Sequence, residues 1–305
     1  MIITASDIRR RIALGVALLS GIVLFTAPAA AAWTLIDDFQ DYNTGDIRDN
    51  VTGGVWTALG NTSLATIEQE GINQYLAFGW TDGHRSAARE LPSFAQLPAG
   101  AGSATYFHRY RSNGMDTADA SFGLTGPNLN TGSTAPFGDF RVQVRISDTG
   151  NHEVDVRDGG SFVDTGARIA RDEWFNFWMV VHRDPTAGDR WDLYMTPGAN
   201  TPDPANDLIY SSAAFRSTES GPLQHYLAIA RPYVNLGPNL DALYFSPGVN
   251  LSWAALGASG PARRATGGAR PATGIGPLRF PTGGPTFSRS APPPSPRSSS
   301  MATIT

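Results

Sequence analysis

The sequence contains no cysteine and no lysine, and each absence removes classes of chemistry. Without cysteine there are no disulfides, no thiolate zinc sites and no cysteine nucleophile. Without lysine there is no Schiff base and no P-loop phosphate site, because both need the lysine amine. Charged residues are also scarce, at 16% of 305 residues, which disfavours a helical bundle or a coiled coil.

Charge is distributed unevenly along the chain. Residues 33–260 hold 14 arginines and 26 acids, a net charge of -12, whereas residues 261–305 hold six arginines and no acid. Nucleic-acid binding needs clustered positive charge, so this acidic body argues against it. It suits an extracellular protein that meets neutral sugars, or one that holds Ca²⁺ on its carboxylates.

The first 32 residues have the pattern of a signal peptide. Arginines 9–11 precede a 14-residue apolar run at 12–25, and small residues then lead to Ala32. A membrane span needs about 20 apolar residues, so the run is short for one. We predict cleavage between Ala32 and Trp33, a secreted, extracellular or cell-envelope location, and no membrane span in the mature chain.

The middle of the chain is a series of short runs with alternating apolar residues, broken by Gly, Pro, Asn and Asp. Such runs predict β-strands, here at 33–39, 74–80, 104–111, 139–147, 152–157, 173–183, 190–196, 226–231 and 240–246. We therefore predict an all-β fold, a two-sheet antiparallel β-sandwich at 33–255 with essentially no helix. Residues 256–305 are rich in Pro, Gly, Ser and Arg, and we predict that they form a disordered tail.

In two of these runs the pattern also predicts which faces of the strand are buried. In 139–147, apolar residues alternate with Arg141, Gln143 and Arg145, which predicts a strand with one face buried and one in water. Segment 173–183 is apolar at both its odd and its even positions, which predicts a strand covered on both faces.

The order of several segments resembles a known fold family. These are IDDFQDYNTGDI at 36–47 followed by Trp56, SFGLTG at 121–126, FRVQVRISDTGNHEVDVRDGG at 140–160, EWFNFWMVVHRDPTAGDRWDLYM at 173–195, and NLDALYFSPGVNLS at 239–252. They resemble bacterial exported concanavalin A-like (laminin-G-like) jelly-roll proteins, a group that includes lectins and glucanases. The resemblance covers about 37–252. It implies a concanavalin A-like jelly roll, and its motifs are structural.

The acidic strand Glu153-Val-Asp155-Val-Arg-Asp158 is similar to the catalytic strand of laminarinase-type β-glucanases. That likeness implies a nucleophile, a general acid and an orienting Asp among the three carboxylates. Retaining hydrolysis needs its two working carboxyls about 5–5.5 Å apart, which alternate residues of one strand provide. The alternative is that Glu153 and Asp155 face water while Asp158 belongs to an Asp-Gly hairpin turn.

Two further candidate sites involve a metal and a sugar. Asp38 and Asp241 match positions where the resembling folds tie the first strand to the last with a structural Ca²⁺, although both acids can equally be solvated. For a sugar we expect flat aromatic rings beside planar polar groups. Trp80, His84 and Arg85 fit this at a strand end, and His108 and Tyr110 fit it beside Arg109 and Arg111, with core packing as the alternative.

Together these observations predict an exported, non-catalytic β-sandwich module that binds polysaccharide or associates with the cell envelope. The alternative is a glycan-active enzyme, a hydrolase or a lyase, that uses Glu153, Asp155 and Asp158.

Overall fold

The computed structural model describes residues 32–49, 56–59, 65–78, 85–112, 120–132, 136–147, 152–198, 203, 205–217, 221–230 and 238–251. The predicted signal peptide up to residue 31, the predicted tail at 256–305, and Trp80 and His84 lie outside these ranges. No helix within the described ranges is long and apolar enough to span a membrane.

Sixteen strands are described. In chain order the first eight are β1 (Thr34–Asp37), β2 (Gly45–Asp46), β3 (Trp56–Leu59), β4 (Ala65–Glu70), β5 (Asn73–Phe78), β6 (Arg85–Glu90), β7 (Gly102–Ser112) and β8 (Ala120–Thr125). The next eight are β9 (Phe140–Ser147), β10 (Glu153–Asp158), β11 (Ser161–Arg168), β12 (Trp174–Arg183), β13 (Arg190–Pro197), β14 (Leu208–Ala214), β15 (His225–Ala230) and β16 (Pro238–Pro247). Helical structure in the described ranges amounts to three 3₁₀ turns at Ile47–Asp49, Ser93–Ala95 and Phe137–Asp139.

The strands form two antiparallel sheets, which confirms the predicted β-sandwich. The larger sheet has the order β14-β13-β12-β7-β16-β5-β4-β2, with β1 also paired to β16. The smaller sheet has the order β11-β10-β9-β8-β15-β6-β3. All nine predicted strands are present, and β12 is buried along nearly its whole length, as predicted.

The two sheets pack face to face over one large apolar core. Phe122 of the smaller sheet meets Tyr110 and Phe177 of the larger one there, and Tyr226 meets His108. A second apolar cluster lies on the outer face of the larger sheet, where Trp33 packs edge-on against Phe107, with ring centroids 5.9 Å apart. The larger sheet therefore packs side chains on both faces.

The face of β9 predicted to lie in water is partly exposed at Arg145 but buried at Arg141 and Gln143, so the prediction was wrong for those two residues. Arg141 and Gln143 are fully buried. Arg141 donates to the carbonyl of Gly221 at 2.6 Å, and Arg216 donates to Oε1 of Gln143 at 3.1 Å. Loop segments that cross the smaller sheet therefore cover its polar side chains, which strand periodicity alone does not show.

A carboxylate is buried between the sheets at the end of β1. Oδ2 of Asp37 accepts hydrogen bonds from Tyr42 Oη at 2.9 Å and Trp56 Nε1 at 2.8 Å, and it pairs with the guanidinium of Arg89. Oδ1 accepts the backbone N–H of Phe39 at 2.9 Å. Buried charges are tolerated when they are paired and hydrogen-bonded, and Asp37 meets both conditions.

Strand β16 contains a β-bulge that shapes the outer face of the larger sheet. Asp241 pairs with Arg109 and Tyr244 pairs with Phe107, so two residues of β16 oppose one residue of β7. Ala242, inside the bulge, has a left-handed φ of 55°. The extra residue turns both Asp241 and Tyr244 outward, although their spacing would place them on opposite faces of a regular strand.

Candidate functional site

Three residues of the sequence-predicted sugar site lie in the core. Arg85 and Tyr110 are fully buried, and His108 is 1% exposed. His108 stacks on Phe177 with the ring planes 6° apart and the centroids at 5.5 Å. Strand β7 was predicted correctly, but His108 and Tyr110 face inward, so a glycan cannot reach them.

The alternate residues of β7 face outward. The guanidinium carbon of Arg109 lies 4.9 Å from the Trp174 ring centroid, and that of Arg111 lies 4.7 Å from it. Arg111 also lies 5.1 Å from the Tyr75 ring, which meets Trp174 edge-on at 5.8 Å. We call these four residues the Trp174 platform. It runs across β5, β7 and β12 on the outer face of the larger sheet.

The sequence held a signal for this orientation. In His-Arg-Tyr-Arg at 108–111, arginine is the residue type that is seldom buried, which places Arg109 and Arg111 outside and their neighbours inside. The contribution of Trp174 was hidden because segment 173–183 is apolar at both parities. Only its pairing with Arg111 in the β7–β12 register brings it to the platform.

Carboxylates balance the positive charge of the platform. Arg111 pairs with Glu70 at 2.7 Å, and Arg109 lies 3.5 Å from Oδ2 of Asp241. Burial lowers the pKa of Arg109, and Asp241 opposes that shift. Nε of Arg109 is buried and has no hydrogen-bond partner among the described residues. The platform is therefore close to neutral overall.

The two predicted calcium ligands lie in one region. The pKa of Asp241 is raised to about 6, mainly by burial and in small part by Asp38, while Asn73 and Arg109 oppose the shift. Burial likewise raises the pKa of Asp38. Oδ2 of Asp241 already accepts from Asn73 at 3.2 Å and faces Arg109. Calcium takes six to eight oxygen ligands, so two carboxylates beside a guanidinium fit it poorly.

The predicted catalytic carboxylates separate into two places. Asp158 accepts hydrogen bonds from Tyr210 Oη at 3.0 Å and from the backbone N–H of Ala214 at 2.8 Å. It therefore links β10 to β14 and does not lie with Glu153 and Asp155. Asp158 is the last residue of β10, directly before the turn to β11, which is close to the hairpin alternative. The other part of that alternative is wrong for Asp155, which is 3% exposed and does not face water.

Glu153 and Asp155 instead lie with Asp164, and ligand oxygens of the three acids are within 4.8 Å of one another. Arg168 pairs with Glu153 at 2.7 Å, and Arg145 donates to Asp155 at 2.9 Å through Nε. This group of acids is of the kind that can hold a metal ion. Each of the two predicted catalytic carboxylates is nevertheless already paired with an arginine, and hydrolysis needs one of them as a proton donor.

Comparisons with known proteins find only distant structural similarity. No protein-family model matches it, and no curated protein matches it. Among solved structures, the potassium-bound carbohydrate recognition domain of Emp46p is 14% identical, with a TM-score of 0.45 over 70% of this chain and 97% of that one. The alginate lyase Aly36B is 10% identical, with a TM-score of 0.45 over 71% and 97%. A sialidase is 12% identical, with a TM-score of 0.45 over 71% of this chain, which spans 18% of the sialidase. Similarities this distant carry no functional inference, so function has to come from the residues.

Proposed function

We propose that this protein is an exported carbohydrate-binding β-sandwich that holds polysaccharide on the Trp174 platform. The observation that carries the proposal is the arrangement of Trp174 against Arg109, Arg111 and Tyr75 on the outer face of the larger sheet. Trp174 and the two arginines are partly exposed there, and Tyr75 is buried beneath them. Aromatic rings offer flat apolar surface to a pyranose ring, and guanidinium groups offer planar donors to its hydroxyls.

The charge of the platform narrows the choice of sugar. Glu70 and Asp241 offset the two arginines, and the body at 33–260 carries a net charge of -12. A strongly anionic polymer would be repelled by that body, and no excess cation on the platform would compensate. We therefore expect neutral polysaccharides such as β-glucan or xylan to bind more tightly than alginate.

We expect Trp174→Ala to weaken polysaccharide binding by about 10- to 30-fold, which corresponds to about 1.4–2 kcal/mol for one aromatic anchor. Binding is measured by isothermal titration calorimetry against β-glucan, xylan and alginate, and reducing-sugar release in the same mixtures separates binding from cleavage. Circular dichroism checks that the variant keeps its β structure.

Phe162→Ala is the matched control for that variant. Phe162 also lies between two arginines, with Arg145 at 4.0 Å and Arg157 at 4.9 Å from its ring centroid, but on the smaller sheet. The control is expected to bind like the wild type. Equal losses in both variants, or no loss in Trp174→Ala, would remove the platform from the proposal.

The export part of the proposal rests on the N-terminal pattern and on one packing observation. Trp33 is buried against Phe107, so cleavage after Ala32 would leave in place the first buried residue of the described ranges. The N-terminal sequence of the protein recovered outside the cell is the direct check.

Calcium is a separate matter, because Arg109 already serves as the counter-ion of Asp241. We expect the melting temperature to change by less than about 1 °C when EDTA replaces calcium. A bound ion at about 100 times its dissociation constant would instead add about 2.7 kcal/mol, or several degrees for a domain of this size. A shift of that size that disappears in Asp241→Ala would restore the Asp38–Asp241 ion site.

A further inference from the structure

A cavity of about 530 Å³ opens at the far end of the larger sheet from the Trp174 platform. Its lining includes Ser103, His182, Arg190, Asp192 and Ser212. His182 and Trp174 are eight residues apart on β12, roughly 26 Å at about 3.3 Å per residue. The cavity is therefore a separate location, and its volume is in the range that takes a small molecule.

Three side chains in this cavity form one hydrogen-bonded chain across neighbouring strands. Oγ of Ser103 lies 2.8 Å from Nδ1 of His182, and Nε2 of His182 lies 3.1 Å from Oδ2 of Asp192. The β7–β12 register sets Ser103 directly opposite His182, and Asp192 comes from the adjacent β13. All three side chains are partly exposed, so a ligand in the cavity can reach them.

The carboxylate determines the state of the imidazole. Asp192 can only accept a hydrogen bond when ionised, so the Nε2 that faces it carries the proton. In the neutral ring Nδ1 is then the unprotonated nitrogen, and it faces the Ser103 hydroxyl as an acceptor. A hydroxyl, a base and an acid that orients the base is the arrangement that activates a serine nucleophile.

Asp192 is held in place by a local distortion of the sheet. The β13–β14 register shifts between Trp191 and Leu193, on either side of Asp192. Opposite this shift, Ser212 has a left-handed φ of 57° and donates its backbone N–H to Oδ1 of Asp192 at 2.7 Å. Both carboxylate oxygens are thereby engaged. Bulges and strained non-glycine residues are typical of functional sites. The register shift at Asp192 and the left-handed Ser212 are observations separate from the Ser103–His182 contact.

We propose that Ser103, His182 and Asp192 form a hydrolytic site for carboxylic esters of small-molecule size. Oγ of Ser103 bonds to the ester carbonyl carbon while its proton moves to Nδ1 of His182. The imidazolium gives that proton to the departing alkoxide as the ester C–O bond breaks, which leaves an acyl group on Ser103. Water then attacks the acyl carbon, passes a proton through Nδ1 to Oγ of Ser103, and releases the carboxylic acid.

The transient negative charge on the carbonyl oxygen also needs a partner. Arg190 pairs with His182 in the β12–β13 register, is exposed and lines the same cavity. Its guanidinium is the candidate to offset the oxyanion, which is the role that fixed donors take in acyl transfer.

The test uses the full chain, p-nitrophenyl acetate as substrate and a fluorophosphonate as covalent probe. We expect one phosphonyl group per chain, placed on Ser103 by peptide mass spectrometry. Ester turnover should fall by about 10³-fold in Ser103→Ala and in His182→Ala. Asp192→Asn, a change to a positioning residue, should lower kcat with little effect on KM and should shift the pH profile, because it alters which nitrogen carries the proton.

Ser161→Ala, which changes an exposed serine on β11 of the smaller sheet, is the control and should keep full turnover. If Ser103→Ala is unstable, fluorophosphonate labelling of the wild-type protein still tests the site, because it does not depend on a folded variant. Absence of labelling, labelling at another serine, or equal turnover in Ser103→Ala would overturn the site. Ser103→Ala should still bind polysaccharide, so failure here is distinguishable from failure of the Trp174 platform.

Discussion

Replacing Asp37 with alanine is expected to lower the free energy of unfolding by about 3–5 kcal/mol. Asp37 is 6% exposed and Arg89 is 8% exposed. Removing the carboxylate leaves the guanidinium buried without its counter-ion, and it also removes the acceptor for Tyr42 Oη and Trp56 Nε1. At roughly 2–4 °C per kcal/mol, the melting temperature should fall by about 6–20 °C.

An exposed arginine–aspartate pair gives the control for this loss. Arg48 pairs with Asp46, and the Arg48 side chain is 53% exposed. Exposed pairs contribute about 0–1 kcal/mol, so Asp46→Ala should unfold almost like the wild type in urea. If Asp37→Ala lost no more stability than Asp46→Ala, the buried network would not hold β1 against the smaller sheet as described.

Replacing His108 with phenylalanine is expected to remove much of the sensitivity of the fold to acid. Burial lowers the pKa of His108 from 6.5 to about 3. Neither ring nitrogen has a hydrogen-bond partner among the described residues, and the ring lies between Phe122 and Phe177. Phenylalanine suits these surroundings, because it keeps an aromatic ring and brings no unsatisfied polar atom.

The direction in which stability changes with pH depends on whether the folded or the unfolded chain binds the proton more readily. Above pH 6.5 His108 is neutral in both states and has no effect on stability. As pH falls below 6.5 the unfolded chain binds a proton that the folded chain refuses, so stability is lost until the folded group titrates near pH 3. At pH 4.5, two units below the unfolded pKa, the loss is about 2.7 kcal/mol.

The measurement is urea unfolding of wild type and His108→Phe at pH 7.5 and pH 4.5. The difference between the two proteins should grow by about 2–3 kcal/mol at the lower pH. All other titrating groups, including Asp241, are common to both proteins and cancel in that difference. His225→Gln is the control, because His225 is only partly buried and bonds to the carbonyl of Gly126. An unchanged difference between the two pH values would show that His108 is hydrated in the folded protein.

Periodicity predicted β9 and β12, which are rich in branched and aromatic residues, but not β4, β11 or β14, which also contain such residues. It missed β6, whose sequence Arg-Ser-Ala-Ala-Arg-Glu has no β-branched or aromatic residue. Two of its arginines are nevertheless buried, and for Arg89 the cause is Asp37, 52 residues earlier in the chain. A sequence pattern does not contain the pairing that makes such a burial favourable.

Sequence patterns likewise do not show which distant residues meet at the candidate functional sites. The sequence identified β7 as a candidate binding strand, yet the assignment of its two faces was inverted for His108 and Tyr110. The Ser103–His182–Asp192 chain joins three strands across 90 residues of sequence, so only the sheet registers bring its members together. Of the calcium candidates, sequence located both acids but gave no indication that Arg109 lies against Asp241.

The place of β16 affects the order in which this protein can fold. β16 is the last described strand of the chain, yet it lies between β7 and β5 and also pairs with β1. During synthesis, the edge of β7 that β16 covers has no partner until residues 238–247 have emerged. The contacts that complete the larger sheet close long loops, since Asn73 and Asp241 are 168 residues apart, and closing them is slow. The chain therefore passes through a stage with open strand edges, when it is most prone to pair with other chains.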